Sequence, residues 1–466
     1  MLPVILAAGE GKRFKSEQNI SKVMFPLLGK PLIFYVINNI MNAGFRKIGV
    51  VVGNRKGPLL EYLAQISNKY SVEFIIAEQV EQLGTAHAVK TILPKVPSDE
   101  GAVIVICGDA PLMGSKIISD MTNSFKESTA SALVLTAIAA EPFGYGRIKR
   151  NASGQIIGIV EERDATAAEK NINEINSGTY IFEKQGLTRF LEQADNSNSQ
   201  GEYYLPDIIK YLNNAGEGVE SAQCSETEIM GINSRVELAA AQKILQKRKL
   251  NELMLSGCTI YDPDNTYIEF DVQVGADSEI LPGTFLHGST KIGSNCSIGP
   301  NSILVNTIVG DNSIATMSVL EDAVVNNGVK IGPFSHLRAG AVLEDSVKIG
   351  NFVEVKKSTL NKGVKAQHLT YLGDTVIGEN TNVGAGTITC NYDGVHKNKT
   401  KIGKNVFIGS DTKLVAPVTV GDDVVTAAGS TITKDVPSGA LAIARTKQII
   451  KEDWTQRWRK ANEKKS

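Results

Sequence analysis

An aliphatic residue recurs at every sixth position through much of the second half of the chain, and this repeat constrains the fold more than any other feature. It includes Val274, Ile280, Leu286, Ile292, Ile298 and Leu304, and after a change of phase Val319, Val325, Ile331, Leu337, Leu343, Ile349 and Val355. A period of six matches neither an α-helix nor simple strand alternation. It is typical of coils with three short strands each, so it predicts a parallel β-helix. Glycine often follows the aliphatic residue and is expected to provide positive φ angles at the corners.

A polar, basic segment interrupts the repeat. Nineteen residues separate Val383 from Ile402, which is not a multiple of six, and the sequence between them includes NYDGVHKNKT at 391–400. Insertions in repeat proteins project from one face, which is often the binding face. A functional loop and a merely solvated surface loop are both compatible with this composition.

The first part of the chain, 1–229, alternates β-rich and helical runs. The β-rich runs are LPVILAAG, KIGVVVG, VEFIIAE, AVIVICGD and SALVLTAI, and the helical runs include PLIFYVINNIMNAG and TAHAVKTIL. This alternation predicts a mostly parallel sheet flanked by helices, an α/β domain of the Rossmann-like type. Ser234 and Glu237 have the spacing of a capping box and Gly257 suits a helix end, so a long helix is predicted. We assign 230–250 to a linker helix and 251–466 to the β-helix domain.

Length and composition exclude several functional classes. The 466 residues suggest two to three domains, and the net charge of −1 provides no overall field for nucleic acid or an anionic membrane. No run approaches the roughly 18 apolar residues of a membrane span, and no signal-peptide pattern is present. The five cysteines form no CxxC pair, which predicts neither a zinc site nor a disulfide framework. We therefore expect the reducing cytoplasm as the compartment.

A glycine-rich loop, LAAGEGKRF at 6–14, follows the first predicted strand. Glycines allow backbone N–H groups to approach phosphate, and Arg13 and Lys22 add positive charge. A plain tight turn is an equally good interpretation of the loop by itself, because it lacks the endings of the known phosphate-binding fingerprints. Asp109 follows AVIVICG, where ligands and metals gather in open α/β sheets, although a turn or helix-cap role is the alternative.

His368 is the histidine with the most suggestive neighbours in the sequence. It stands in QHLTYLGD with Tyr371, and Arg338 and Lys356 occur in nearby segments of the repeat. A single histidine is more often structural than catalytic, whereas a histidine grouped with arginine, lysine and tyrosine is a better candidate for acid–base chemistry.

Taken in order, several motifs resemble those of the sugar-1-phosphate nucleotidyltransferases. They are LAAG-x-G-x-R, EQLGTAHA, GD-x-PL, GYGRI, IVE, EINSG, QGEYYLPDII and GINSR. With the repeat behind them, essentially the whole chain resembles the bacterial bifunctional family of UDP-N-acetylglucosamine pyrophosphorylases and glucosamine-1-phosphate N-acetyltransferases. The resemblance implies a left-handed β-helix, a homotrimer, Mg²⁺, and acetyl-CoA as acetyl donor. UTP, glucosamine-1-phosphate and N-acetylglucosamine-1-phosphate are the implied substrates.

The same resemblance implies roles for residues of the first part. Nucleotide and substrate contacts fall to Leu6, Ala7, Ala8, Gly9, Gln79, Gly84, Thr85 and Gly108, and sugar contacts to Gly146, Glu161 and Asn176. Arg13 and Lys22 would neutralise the triphosphate, and Asp109 and Asn233 would hold Mg²⁺. Two departures stand in the glycine-rich loop: Lys12 replaces the usual threonine, and the segment between Arg13 and Lys22 is slightly longer.

For the repeat, the resemblance implies that His368 is the base for acetyl transfer. Sugar-phosphate binding would fall to Arg338, Lys356, Tyr371 and Asn382, and cofactor binding to Ala385, Asn391, Tyr392, Ser410, Ala428 and Arg445. One alternative is a nucleotidyltransferase with a single activity whose β-helix only supports oligomerisation. Another is a non-catalytic scaffold that binds sugar nucleotides. The grouping around His368 disfavours the first alternative. Asp109 and Asn233, together with Arg13 and Lys22, disfavour the second.

Overall fold

The computed structural model describes residues 1–9, 11, 14–15 and 20–463, so Lys12 and Arg13 lie outside the described residues. The chain divides into two compact units, Met1–Gln246 and Lys247–Ser466. None of the helices in the described ranges combines the length and the apolar character needed to cross a membrane.

Most strands of the first unit form one mostly parallel sheet, as the sequence predicts, and two short strands, Pro26–Leu27 and Lys30–Pro31, form a separate pair. The strands are β1 (Leu2–Ala7), β2 (Pro26–Leu27), β3 (Lys30–Pro31), β4 (Lys47–Val52), β5 (Glu73–Glu78), β6 (Ala102–Cys107), β7 (Ala132–Ile138), β8 (Arg147–Arg150), β9 (Ile156–Val160), β10 (Glu174–Glu183) and β11 (Val219–Cys224). The sheet order is β11-β7-β10-β6-β1-β4-β5. β1 pairs in parallel with β4 and β6, whereas β10 runs antiparallel to β6 and β7. β8 and β9 form a hairpin beside β10, and β2 pairs with β3.

Helices cover this sheet. They are α1 (Leu32–Asn42), α2 (Gly57–Tyr70), α3 (Thr85–Ile92), α4 (Ser115–Glu127), α5 (Lys184–Gln193) and α6 (Asp207–Asn214). Short 3-10 helices occur at Lys22–Met24, Leu93–Lys95, Glu169–Asn171 and Glu226–Ile229. β1 and β6 are buried along nearly their whole length, which is the burial expected of parallel strands packed on both faces. Their carboxyl ends therefore meet at one edge of the sheet, where ligand sites of such sheets form.

A long helix, α7, spans Arg235–Leu255. The Ser234 hydroxyl accepts a hydrogen bond from the Glu237 N–H at 3.3 Å, and the Glu237 carboxylate accepts one from the Asn233 N–H at 2.6 Å. The first contact satisfies an N–H group that the first turn of a helix leaves free, and the second ties the preceding residue to that turn. At the other end, Gly257 has φ +98°, and its N–H donates to the Met254 carbonyl at 3.1 Å. The residues predicted to begin and end this helix therefore lie at its two ends.

The second unit is a left-handed parallel β-helix with three faces. The first face contains Thr259–Ile260, Glu279–Ile280, Ser297–Ile298, Ile314–Ala315, Lys330–Ile331, Asn382–Val383, Phe407–Ile408, Val425–Thr426 and Leu441–Ala442. The second contains Tyr267–Ile268, Phe285–His287, Ile303–Val305, Val319–Glu321, His336–Leu337, Ile388–Cys390, Lys413–Val415 and Thr431–Ile432. The third contains Gln273–Val274, Lys291–Ile292, Ile308–Val309, Val324–Val325, Val342–Leu343, Thr359–Leu360, Thr375–Ile377, Thr400–Ile402 and Val418–Val420.

Two longer strands, Lys348–Lys356 and Lys365–Gly373, belong to both the first and the second face. Each crosses a corner, at Phe352 with φ 58° and at Leu369 with φ 31°. A 3-10 turn at Pro263–Asn265 and the helix α8, Trp454–Asn462, complete the described elements of this unit.

The change of phase in the repeat comes from steps of five residues between inward side chains. The buried series runs Leu304, Val309, Ala315, Leu320 and Val325. The expectation that Val319 points inward is wrong: Leu320 is fully buried, and Val319 is only partly covered. Leu304 still pairs with Leu320 on the next coil. The strands therefore stay in register even where a corner has one residue fewer.

The role expected for the glycines is wrong at several corners. Gly350 and Gly378 are not among the residues with positive φ, whereas Asn295 and Asn380 have φ near 55°. Asparagine tolerates this conformation better than most other residues. A Cβ on Gly350 would lie 1.9 Å from the Gln367 carbonyl oxygen of the next coil. These glycines are therefore needed because the backbones of successive coils approach closely.

Candidate active sites

A cavity of about 480 Å³ lies at the carboxyl ends of β1 and β6 in the first unit. Among the residues lining it are Leu6, Ala7, Ala8, Gly9, Lys22, Gln79, Gly84, Thr85, Asp109 and Asn233. The structure thus brings together residues that are more than 200 positions apart in the sequence. Gln82 and Glu202 also line the cavity, and the sequence analysis missed both.

The charged centre of this cavity consists of Lys22, Asp109 and Asn233. The Lys22 ammonium donates to Asp109 Oδ2 and, at 3.0 Å, to Asn233 Oδ1. The Lys22 and Asp109 side chains are only 11% and 19% exposed. Because both oxygens accept from one nitrogen, they converge on a single position that suits a cation. Within the described ranges no group of three or more His, Cys, Asp or Glu could hold a metal, so these two oxygens would leave most ligand positions of a hard cation to phosphate and water.

The start of α3 is fixed by a close backbone approach. Gly84 has φ +110°, and a Cβ there would lie 2.5 Å from the Tyr203 carbonyl oxygen, so only glycine fits. Gln79 Nε2 donates to the Gly84 carbonyl at 3.0 Å and contacts His87 Nδ1 at 3.1 Å. The Thr85 hydroxyl accepts from the Leu205 N–H at 3.0 Å. These hydrogen bonds hold Gln79 at the wall of the cavity through its amide nitrogen.

Gly146, Glu161 and Asn176 form a second group in the first unit. A Cβ on Gly146 would lie 3.2 Å from Glu161 Oε1 and 3.4 Å from the Asn176 Cβ. The Asn176 amide donates to the Tyr180 hydroxyl at 2.7 Å. These three predicted sugar-binding residues are brought together, although they are not among the residues lining the cavity described above.

Burial raises the pKa of Glu161, and the like charges of Asp207 and Asp164 raise it further. Arg147 acts in the opposite direction on the same carboxyl group. The Arg147 side chain is almost fully buried and donates to Glu162 Oε2 at 2.7 Å. The sequence analysis quoted Arg147 within GYGRI without giving it a role, because sequence alone does not show that its guanidinium is buried.

Cys107 lies between the two groups. It lines the cavity, and its Sγ is 3.6 Å from the Gly178 carbonyl oxygen. Burial first, and the Asp109 charge second, raise the pKa of its thiol to about 12. The thiol is therefore neutral near pH 7. Gly108, predicted to bind substrate, lies against β1, where its N–H donates to the Leu6 carbonyl at 2.9 Å.

In the second unit, the coil register stacks Arg338 on Lys356. Leu337 pairs with Val355 and Lys356 pairs with Gly373, so these positions follow one another on successive coils. Arg338 Nη1 donates to Glu354 Oε1 at 2.8 Å, and Glu354 pairs with Tyr371 on the next coil. Since these residues come from separate repeats, only the phase of the repeat brings them together.

The segment that interrupts the repeat is a compact loop, which we call the 391–399 loop. Tyr392 and Lys397 form an antiparallel bridge across it, and the Asp393 carboxylate accepts from the His396 N–H at 2.6 Å. The Tyr392 side chain is exposed, and its hydroxyl donates to the Gly394 carbonyl. Asn391, at the base of the loop, is buried and donates to Asp374 Oδ2 at 2.5 Å.

The loop brings a cation that the sequence analysis missed. Lys397 interacts directly with Lys356 and is the main cause of the lowered pKa of Lys356, with Arg338 adding to the effect. Asp374 raises the same pKa. Three positive charges thus approach one another beside Tyr371. The basic composition of the loop was the only signal in the sequence, and a solvated surface has the same composition.

A second column of residues runs along the β-helix beside His368. Ala366 pairs with Val383, Val383 with Ile408 and Ile408 with Thr426. Two positions beyond each of these residues stand His368, Ala385, Ser410 and Ala428 respectively. The Arg445 guanidinium donates to the Ala428 carbonyl at 2.7 Å. The His368 side chain is exposed, and Asn382 pairs with Lys365 on the strand that carries it.

Comparisons with known proteins find different families in the first part of the chain and in the repeat. The nucleotidyl transferase family matches residues 2–226, the bacterial transferase hexapeptide family (six repeats) matches 399–434, and the hexapeptide repeat of succinyl-transferase matches 289–317. The chain is similar to "Bifunctional protein GlmU" of a Geobacillus species, at 45% identity over 97% of both chains. It is similar to the protein of the same name from Geotalea uraniireducens, at 46% identity over 97% of this chain and 98% of that one.

Proposed function

The chain belongs to the family of bifunctional GlmU proteins, and from this premise we propose that it makes UDP-N-acetylglucosamine in two reactions at two separate sites. The second unit transfers the acetyl group of acetyl-CoA to glucosamine-1-phosphate. The first unit then joins N-acetylglucosamine-1-phosphate to the uridylyl group of UTP. One observation carries the proposal: each compact unit has its own group of polar and charged side chains suited to catalysis. The group is centred on Lys22 in the first unit and on His368 in the second.

In the first unit, the glycine-rich loop binds the triphosphate, and Gln79, Gly84 and Thr85 bind the uracil end. A phosphate oxygen of the sugar-1-phosphate attacks the α-phosphorus of UTP in line, and pyrophosphate leaves. Lys22 neutralises charge on the phosphates, and Gly146, Glu161 and Asn176 hold the sugar. Such a reaction depends on positioning and electrostatic stabilisation rather than on a protein nucleophile.

Asp109 and Asn233 are the residues that would hold Mg²⁺. Their oxygens converge on the position of one cation, which supports this assignment. When bound, Mg²⁺ would neutralise charge on the phosphates as a Lewis acid. Arg13 would add positive charge from the glycine-rich loop.

In the second unit, Arg338, Lys356, Tyr371 and Asn382 bind the sugar phosphate. His368 takes a proton from the glucosamine amine as the nitrogen attacks the thioester carbonyl carbon of acetyl-CoA. The C–S bond breaks and coenzyme A leaves as its thiol. Ala385, Ser410, Ala428 and Arg445 lie along the column beside His368 and line the path of the cofactor, and Asn391 and Tyr392 complete it.

The assembly is a homotrimer in this proposal, as hexapeptide-repeat transferases and the family resemblance suggest. The cytoplasm is the proposed compartment, because the five cysteines are free and because both UTP and acetyl-CoA are needed.

Paired assays on His368→Ala test the proposal. One assay follows thiol release from acetyl-CoA with glucosamine-1-phosphate, and the other follows pyrophosphate release from UTP with N-acetylglucosamine-1-phosphate and Mg²⁺. Wild type is expected to perform both reactions, and the variant to lose only thiol release. His287→Ala is the matched control, since His287 pairs with Glu269 at 3.1 Å elsewhere on the β-helix. If wild type releases no thiol, the β-helix serves only as a platform and the bifunctional proposal is wrong.

A further inference from the structure

Lys22 stands where the proposed metal would bind. Its ammonium donates to the Asp109 carboxylate and to the Asn233 amide oxygen, the two protein oxygens assigned to Mg²⁺. The side chains of the ion pair are largely shielded from water, at 11% and 19% exposure. An ammonium group and a divalent cation repel each other, so both cannot use these oxygens at once.

The ion pair therefore competes with a metal ion for the site. Attraction between opposite charges is stronger where water is largely excluded than on an open surface. A free Mg²⁺ ion would have to give up tightly held water and would meet a carboxylate whose charge Lys22 already balances. Without another anion to accept Lys22, its displacement would leave an unpaired ammonium in a largely buried position.

Lys22 has an alternative position close by. It lines the cavity together with Ala8, Gly9 and Gly11 of the glycine-rich loop. A Cβ on Gly11 would lie 2.9 Å from the Lys22 Cβ, so the stem of Lys22 lies directly against this loop. A polyphosphate bound to this loop would offer the flexible ammonium of Lys22 a new partner.

We propose that Lys22 is a placeholder for the metal, so that metal and nucleotide bind with positive coupling. Without nucleotide, Lys22 occupies the oxygens of Asp109 and Asn233 and keeps metal affinity low. Nucleotide phosphates draw Lys22 away and free the site, and by linkage the metal then favours the nucleotide to the same extent. The identities of the nucleotide and the metal rest on the proposed function; the competition rests on the contacts of Lys22 alone.

Mn²⁺ binding to the nucleotide-free full chain, followed by electron paramagnetic resonance, tests the placeholder. Lys22→Gln removes the charge and is expected to bind Mn²⁺ at least about tenfold more tightly than wild type, the ratio for a coupling of roughly 1.4 kcal/mol. Lys22→Gln/Asp109→Asn is expected to lose this gain. Lys149→Gln is the matched control, because Lys149 pairs with Glu169 at 2.6 Å in the same unit. Equal Mn²⁺ affinity in wild type and folded Lys22→Gln would overturn the proposal.

A second measurement covers the case in which Lys22→Gln does not fold. In wild type, acylation of the Lys22 amine by a water-soluble ester is read by peptide mass spectrometry, with Lys149 as internal reference. Asp109→Asn weakens the pair and is expected to accelerate acylation of Lys22 several-fold, and an unchanged rate would contradict the placeholder. Pyrophosphate release by wild type tests the proposed function separately. If wild type releases pyrophosphate but Lys22→Gln binds Mn²⁺ no more tightly than wild type, the placeholder is rejected and the proposed function stands.

Discussion

Lys397 of the 391–399 loop lowers the pKa of Lys356, which belongs to a regular coil of the second unit. Repulsion between like charges has this effect, and Arg338 contributes in the same direction. A phosphate monoester would relieve it by bridging the cations, since hydrogen bonds between charged groups are the strong ones. We therefore predict that the sugar phosphate binds between Lys356 and Lys397.

Lys397→Gln is expected to raise KM for glucosamine-1-phosphate by about 10- to 100-fold, because one charge-assisted bond is worth roughly 1.5–3 kcal/mol. The uridylyl reaction of the same preparation should be unchanged. Steady-state kinetics of thiol release measures this. Lys399→Gln is the control, because Lys399 is an exposed lysine of the same loop. An equal effect of the two substitutions would mean that only the overall charge of the loop matters.

Local sequence signals predicted the fold well. β1 and β6 are continuous apolar runs, α7 is bounded by the predicted capping residues, and the period of six gave the three-sided coil. The five-residue steps could not be predicted, because either Val319 or Leu320 could face inward until the neighbouring coil fixes the register. The role of Gly350 depends likewise on the carbonyl of the coil beside it.

The candidate sites were less accessible from sequence because they join distant segments. Lys22 and Asn233 meet only through the order of the strands and the start of α7. The family resemblance gave each residue a role, one toward the triphosphate and the other toward Mg²⁺, but it did not predict their contact. Lys397 was missed because a lysine in a polar loop has no sequence signal until its neighbour is known. Arg147 was missed as a buried charge for the same reason: its partner Glu162 lies on the far side of a hairpin.

The buried thiol of Cys107 makes stability depend on alkaline pH. Its pKa is about 12 in the folded protein against an ordinary value of 9.0, so the folded state holds the proton more tightly. The contribution is fully present below pH 9 and is lost as the pH rises from about 9 towards 12. Cys107→Ser should therefore lose less unfolding free energy than wild type between pH 8 and pH 10.5. Urea unfolding at the two pH values measures this, and equal losses would show that the thiol does not contribute.

The raised pKa of Glu161 predicts a pH-dependent affinity for the sugar. In the proposed role, Glu161 as a carboxylate would accept hydrogen bonds from sugar hydroxyls, and the protonated form would accept them less well. KM for N-acetylglucosamine-1-phosphate should therefore rise as the pH falls through the raised pKa. Asp164→Asn removes one cause of the shift and should move this rise to lower pH. Measuring both proteins on one substrate cancels the titration of the substrate itself, and superimposable KM profiles would contradict the assignment.

The bond from Arg445 to the Ala428 carbonyl closes the column that begins at His368. Coenzyme A carries several phosphate groups, and a guanidinium at the end of this column is the residue type best suited to bind one of them. Arg445→Ala should raise KM for acetyl-CoA about tenfold or more, as expected for one hydrogen bond to a charged group. KM for glucosamine-1-phosphate should change little, because Arg338 and Lys356, the proposed phosphate-binding residues, are not part of this column. Lys447→Ala, an exposed cation two residues away, is the control. If Arg445→Ala instead raises KM for the sugar phosphate alone, the cofactor does not follow the column, and the path proposed from His368 to Arg445 must be abandoned.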